Sequence, residues 1–160
     1  MKAYIGTKIL NAKPMTRGDY NTVRGWTLPA DENGDDEGYL TDNGAGHLQW
    51  QPKEVFEDAF APFEDLDFGM AIAALKLGHR VARAGWNGKG MWLMLQPGSV
   101  ITPEQARGGA AKGRADEGAA AITILPHIDM RAADGSVVVG WLASQTDMLA
   151  EDWQIIGEAA

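Results

Sequence analysis

The hydrophobic and polar positions divide the 160-residue chain into two stretches with different signatures. In the first, about residues 1–60, apolar residues come in short bursts between polar, turn-rich segments. Ala3-Tyr4-Ile5-Gly6-Thr7-Lys8-Ile9-Leu10 predicts a first strand, with Tyr4, Ile9 and Leu10 as core candidates. Pro14, Thr16, Gly18, Asp19 and Asn21 give residues 11–25 a loop-rich composition. Tyr39-Leu40-Thr41 and His47-Leu48-Gln49-Trp50 bracket Asp42-Asn43-Gly44-Ala45-Gly46, which predicts a hairpin. Pro52, at a first helical position, introduces a helix over 53–60 with Val55, Phe56, Ala59 and Phe60 on one face. The segment 61–65 ends that helix and marks a boundary.

The second stretch opens on a clearer helix. Asp67 is a candidate N-cap, Phe68, Ala71, Ile72 and Leu75 recur at helical spacing, and Gly78 has the place of a C′ residue. Two apolar runs then flank the turn inside residues 81–92, the second continuing to Leu95 before a Pro97-Gly98 turn. Thr102-Pro103-Glu104-Gln105 has the composition of a capping box and starts a short helix. The Gly- and Ala-rich residues 107–120 fit a flexible flap or a tolerated insertion equally. Strands are expected at 121–125 and 127–130, and after an Ala133-Asp134-Gly135-Ser136 turn at 137–141. Residues 144–153 read as a polar loop with a short helical turn, and 153–156 as a last strand. The fold class is therefore α+β. A small N-terminal α+β module at 1–62 precedes a helix packed on an antiparallel sheet at 67–157.

Composition narrows the function classes. A hydrophobic content of 45% with six tryptophans indicates a folded chain. No apolar run approaches the ~20 residues of a membrane span, and no signal-peptide pattern opens the sequence. The absence of cysteine excludes disulfides and thiolate metal sites and fits a reducing cytosol. His47, His79 and His127 lie far apart without ligand spacing, so no metal is expected. The net charge of −8 repels nucleic-acid backbones, which argues against DNA or RNA as a partner. It does not forbid a small phosphorylated ligand held by a local cluster of donors. The acidic run at 29–38 lacks the alternating ligands and closing glutamate of a calcium loop and reads as a solvated loop.

The chemistry concentrates in Arg83-Ala84-Gly85-Trp86-Asn87-Gly88-Lys89-Gly90-Met91. Glycines let backbone N–H groups approach a ligand, Arg83 and Lys89 can neutralise phosphate, and the Trp86 indole can cover a base or sugar. The same residues also suit a tight β-turn with a half-buried tryptophan. Ser144 with Asp147, and Asp129 with Asp147, are the nearest approaches to catalytic pairs. Neither has a histidine or motif to complete it, and capping and turn roles suit both. His127 reads as a structural strand residue and Met91, Met94 and Met130 as core. A binding site makes lighter demands. Arg83, Trp86, Asn87, Gly88 and Lys89, with the Ser144-Gln145-Thr146-Asp147 loop, carry groups suited to an adenine, ribose and phosphate ligand.

Three segments carry a family resemblance. The motif above, then Pro126-His127-Ile128-Asp129-Met130, then residues 140–153 resemble the second type of Thoeris anti-defence protein, a phage family. The likeness runs over about residues 67–157 and includes the opening helix from Phe68 to Gly78. It implies a non-enzymatic sponge, without cofactor, acting in the cytoplasm of the bacterial host. Such a protein binds a cyclic ADP-ribose-type signalling nucleotide, holds it intact and so keeps the Thoeris effector silent. The resemblance also implies a homotetramer with sites between subunits, and cyclic oligonucleotides as ligands of some relatives. Side-chain chemistry then assigns Arg83 and Lys89 to the pyrophosphate, Trp86 to the base or ribose face, and residues 144–147 to ribose hydroxyls or base edges. Two other classes compete: a phage structural or interaction protein whose motif only shapes a turn, and a phosphodiesterase-like enzyme, for which metal ligands are lacking. Residues 1–60, with Tyr4-Ile5-Gly6-Thr7-Lys8-Ile9 near the start and Trp50-Gln51-Pro52-Lys53-Glu54-Val55-Phe56 near the end, look like a separate phage-associated module.

Overall fold

The structure is a computed structural model that describes all residues except Met1, Tyr4, Ile5, Thr7, Asn43, Ala45 and 158–160. The chain forms two compact units, Met1–Pro62 and Phe63–Ala160.

In the first unit, β1 (Asn11–Pro14), β2 (Gly38–Asp42) and β3 (Leu48–Pro52) form an antiparallel sheet in the order β1-β2-β3. Helix α1 (Arg17–Arg24) follows β1 and α2 (Lys53–Ala59) follows β3. The strand expected at 3–10 lies partly outside the described residues, and the first strand begins at Asn11. Its ladder starts with Asn11 opposite Asp42, the last residue of β2. Ile9 is accordingly 39% exposed and not core. The expected loop at 11–25 is instead β1 and α1. Thr16 Oγ1 accepts the Asp19 N–H at 3.2 Å as N-cap, and Gly25, at φ 68°, returns its N–H to the carbonyls of Asn21 and Thr22. Pro52 is the cap residue of α2 and not its first turn. Only part of the expected apolar face is used: Phe56 stacks between Tyr39 and Phe60, while Val55 is 58% exposed. Trp50 lies across Gly38, where a Cβ would come within 2.5 Å of the indole, and donates its N–H to the Met15 carbonyl at 2.8 Å.

The second unit begins with α3 (Phe68–Lys76), capped by Asp67, whose carboxylate accepts the Met70 N–H at 2.7 Å, and closed by Gly78 at φ 91°. There follow β4 (Arg80–Arg83), β5 (Trp92–Gln96), β6 (Ser99–Ile101) and a 3₁₀ turn (Pro103–Gln105) with the expected capping box. The rest is α4 (Gly109–Asp116), β7 (Ile122–Ile124), β8 (His127–Arg131), β9 (Val137–Val138), α5 (Gln145–Met148) and β10 (Trp153–Ile156). The main sheet is antiparallel in the order β10-β4-β5-β8-β9. The strand expected at 121–125 exists as β7 but pairs with β6 in a separate ribbon, because Ile122 faces Ile101 across it. The segment 107–120 contains α4, a helix with no buried residue. The strand expected at 137–141 shortens to β9, since Gly140 turns the chain at φ 77°.

Register fixes the core. Ile155 pairs with Val81, Val81 with Leu93 and Leu93 with Met130, so these side chains share one face of the sheet. Helix α3 packs on β4, β5 and β10, burying Ala71, Ala74 and Leu75 while Val81, Leu93 and Trp153 are fully enclosed. β10 takes the edge beside β4, and its outer side is closed by the entering segment: Leu66 and Trp153 exchange N–H to carbonyl bonds of 2.8 and 3.1 Å, and Ile155 donates to the Phe63 carbonyl at 2.9 Å. This arrangement sets the end of β4 against the start of β10, Arg83 opposite Trp153. Among the described residues no helix is long and apolar enough to cross a membrane.

The burial pattern has a direct test in urea unfolding. Leu93→Ala, at a fully enclosed position, is expected to cost about 2–5 kcal/mol, whereas Leu142→Ala, at 88% exposure, stays within about 0.5 kcal/mol of the wild type.

Candidate ligand-binding site

The pairing of Arg83 with Trp153 brings the motif loop 84–91 against the 144–153 segment. Arg83 reaches across with its whole guanidinium. Nε donates to Asp152 Oδ1 at 2.8 Å, and Nη1 donates to Asp147 Oδ1 at 2.9 Å and the Thr146 carbonyl at 3.3 Å. The Arg83 and Asp147 side chains are each 13% exposed. Asp152 also binds the loop backbone, accepting the Gly85 N–H at Oδ2 (2.6 Å) and the Ala84 N–H at its carbonyl (3.0 Å). A Cβ on Gly85 would stand 2.7 Å from that carboxylate oxygen, so the glycine is what permits the approach.

Asp147 is the hub. As the third residue of α5 it completes a capping box: Ser144 Oγ accepts the Asp147 N–H at 3.1 Å, and Asp147 Oδ2 accepts the Ser144 N–H at 3.1 Å and hydroxyl at 2.7 Å. Its other oxygen, already bound to Arg83, accepts the Trp86 indole N–H at 3.1 Å, and its carbonyl accepts the Trp153 indole N–H at 3.0 Å. The indoles of Trp86, Trp141 and Trp153 meet edge to face, with centroids 5.4 to 6.3 Å apart, and Phe68 of α3 lies 5.5 Å from Trp153. Trp153 is fully buried; Trp86 and Trp141 keep part of their surface open.

Of the residues expected at the site, Arg83, Trp86, Ser144, Thr146 and Asp147 come together in this network, Thr146 through its carbonyl. Arg83 is held by two carboxylates, so the group carries no free positive charge for an anion. Asn87, Gly88 and Lys89 occupy the far limb of the loop. Gly88 packs so closely on Met91 and Ala133 that a Cβ there would stand 2.3 Å from Met91 Sδ. Among the described residues the side chains of Asn87, Lys89 and Gln145 make no hydrogen bond. Asp129 and Asp147 are engaged separately, Asp129 by the Gly140 N–H at 3.2 Å and, at 3.5 Å, by His127 Nε2. Four residues of the site escaped the sequence reading: Asp152, Trp141, Trp153 and Arg131, whose Nη1 donates to the Gly90 carbonyl at 2.5 Å. The first three lie within the 140–153 motif. The signal for Asp152 was a charge excess, three carboxylates (Asp147, Glu151 and Asp152) in one motif against Arg83 and Lys89 in the other.

Residues 66–156, from the end of the linker to β10, match the Tad2-like family, described as the Thoeris anti-defense 2-like domain. The chain belongs to this family. It is similar to Thoeris anti-defense 2 of Bacillus phage SP01, with 35% identity over 91 residues that cover 57% of this chain and 94% of the relative. The matched span contains the complete Arg83–Asp147–Trp86 network, and the first unit lies outside it. Anti-defence against Thoeris by a phage protein is the coarse function that membership supports.

In this Tad2-like domain the electrostatics follow from the geometry. Burial works against the Asp147 charge, but hydrogen bonds from Ser144, Trp86 and Arg83 outweigh it and hold the carboxyl at about 2. The hydrogen bond from Arg83 lowers Asp152 in the same way, and the bond to Asp152 raises Arg83. The unfolded Asp147 titrates near 3.8, so its contribution is fully present above that value and is lost as pH falls through about 2. Asp147→Asn is therefore expected to lower stability by about 2 kcal/mol at pH 7. Urea midpoints of wild type and variant should differ by a constant amount above pH 4 and converge as the pH drops to 2.

Proposed function

We propose that the 66–156 domain is a sponge: it binds a cyclic ADP-ribose-type nucleotide and holds it intact, so that the signal no longer reaches the Thoeris effector. The single observation that carries the reading is the Trp86 indole, half-buried and fixed through its N–H to Asp147, beside a glycine-rich loop with uncommitted polar groups. A preorganised aromatic face binds a base or sugar with little ordering cost.

The state of the polar groups supports holding over chemistry. The Ser144 hydroxyl is used in the cap, and Asp147 and Asp152 are ionised acceptors already filled by Ser144, Trp86, Arg83 and Gly85. A general base needs a free, proton-accepting group within reach of substrate, and these carboxylates have no such freedom. The proposal includes a homotetramer with ligand sites between subunits. In support, β9 is an edge strand whose Val137 and Val138 are 60% and 46% exposed and is followed by Val139 at 71%, a surface suited to burial against other copies. The host-cell cytoplasm is the proposed place of action.

Calorimetric titration with both linkage isomers of cyclic ADP-ribose and a set of cyclic oligonucleotides tests the reading. One cyclic nucleotide should bind tightly, and ultrafiltration followed by heating should return it unaltered. Trp86→Ala should weaken binding at least about tenfold, the scale of losing one base-stacking face. Recovery of hydrolysed product would make the protein an enzyme. Unchanged nucleotide affinity in Trp86→Ala with lost assembly would make it an interaction protein.

A further inference from the structure

The binding reading needs a cation for an anionic ligand, and Arg83 is spent on Asp147 and Asp152. The opposite limb of the motif loop supplies what Arg83 lacks. Among the described residues, none of the backbone N–H groups of Asn87, Gly88, Lys89 and Gly90 donates to a protein acceptor. Gly90 sits at φ 74°, a conformation that L side chains rarely adopt. Arg131 reaches this segment from β8. Trp92 pairs with Arg131 in the ladder, so the guanidinium lies where the loop re-enters the sheet, and Nη1 ties it to the Gly90 carbonyl at 2.5 Å. That bond uses one of the five guanidinium N–H groups. Neither Arg131 nor Lys89 forms an ion pair among the described residues. Asp134, in the adjacent turn, is held by the Ser136 N–H at 2.9 Å and hydroxyl at 2.7 Å, which lower its pKa, and the nearby Arg131 charge also helps to lower it without a direct bond. Two cations without an ion pair among the described residues, Lys89 within the run and Arg131 beside it, thus accompany uncommitted backbone donors in a protein of net charge −8.

We propose that the 87–90 backbone, Lys89 and Arg131 form an anion cradle that takes the phosphate groups of the ligand, and that Arg83 is a positioning residue that touches no ligand. Successive backbone N–H groups make a concave donor set for phosphate oxygens, and a guanidinium adds charge-assisted bonds in a planar fork. The close packing of Gly88 on Met91 and Ala133 holds the limb in place before any ligand arrives. The nucleotide part of this assignment rests on the sponge reading; the phosphate part stands without it.

The test uses the full chain with inorganic pyrophosphate as probe, and then with the cyclic nucleotides. In the amide spectrum of the ¹⁵N-labelled wild type, pyrophosphate should shift Asn87, Gly88, Lys89 and Gly90; unmoved signals there overturn the cradle. Arg131→Gln and Lys89→Gln should each weaken pyrophosphate binding about tenfold or more, and Arg131→Lys should recover part of the loss. Arg114→Gln, the same charge change on the exposed helix α4, should stay within about twofold, as a distant screened charge does. Equal losses in Arg114→Gln and Arg131→Gln overturn the assignment, as does unaltered binding in Arg131→Gln. The two readings fail differently. Pyrophosphate binding at these amides without any nucleotide binding keeps the cradle and sinks the sponge. Nucleotide binding that leaves the amides unmoved keeps the sponge and sinks the cradle.

Discussion

A carboxylate taken largely out of water has to be surrounded by donors, and the second unit is tied together by how Asp147 meets that demand. Its donors come from three places in the sequence: Ser144 at the cap of its own helix, Arg83 at the end of β4, and Trp86 in the motif loop. Each bond restrains a different element. The cap fixes the axis of α5, the arginine fixes that helix against β4, and the indole N–H fixes the loop that leaves β4. The same residue's carbonyl holds Trp153, which the ladder places opposite Arg83 and the aromatic contact places against α3. Removing the carboxylate charge leaves Arg83 with Asp152 as its one charged partner, which is why the pH profile of Asp147 reports on the whole junction.

That junction separates two tasks within one short loop. The limb next to β4 is bound to acids and to the aromatic cluster, and its contribution is shape: a Trp86 face held still. The limb next to β5 is bound by close packing at Gly88 and by Arg131 at Gly90, and its polar groups are uncommitted. An arginine that both braced the fold and bound an anion would have to exchange partners on every binding event, and desolvating it from two carboxylates would oppose capture. Dividing the roles between Arg83 and Arg131 avoids that conflict.

Elements were legible in the sequence where a cap and a period coincided. Asp67, the spacing of Phe68, Ala71 and Leu75, and Gly78 specify α3 almost completely, and the 102–105 capping box is where its residues predict it. Helix α1 was illegible for the converse reason: Thr16, Asp19 and Gly25, read as loop residues, are its start and stop signals, and its interior is polar enough to hide the period. Residues 122–124 were readable as a strand, but the choice of β6 as partner depends on tertiary packing that no local pattern encodes. At the site the motif was legible and the engagement of Arg83 by Asp147 and Asp152 was not. Arg83 has the side-chain chemistry of a phosphate ligand in isolation, and its partners lie 64 and 69 residues downstream. Arg131 was missed because the 126–130 motif stops one residue short of it and it meets the loop only through the β5–β8 register.

The overall charge constrains how such a site works. At −8 the protein repels a nucleotide at long range, and salt screens that field beyond a Debye length of about 8 Å at physiological ionic strength. Electrostatic steering therefore contributes little to encounter, and capture has to come from contacts made after the ligand arrives. Backbone donors, a guanidinium and an indole face act within van der Waals or hydrogen-bond distance and fall away beyond it. Affinity assembled this way resides mainly in slow release, not in fast association. Under the proposed sponge role, slow release is the property that matters: a sequestered molecule is silent for as long as it stays bound.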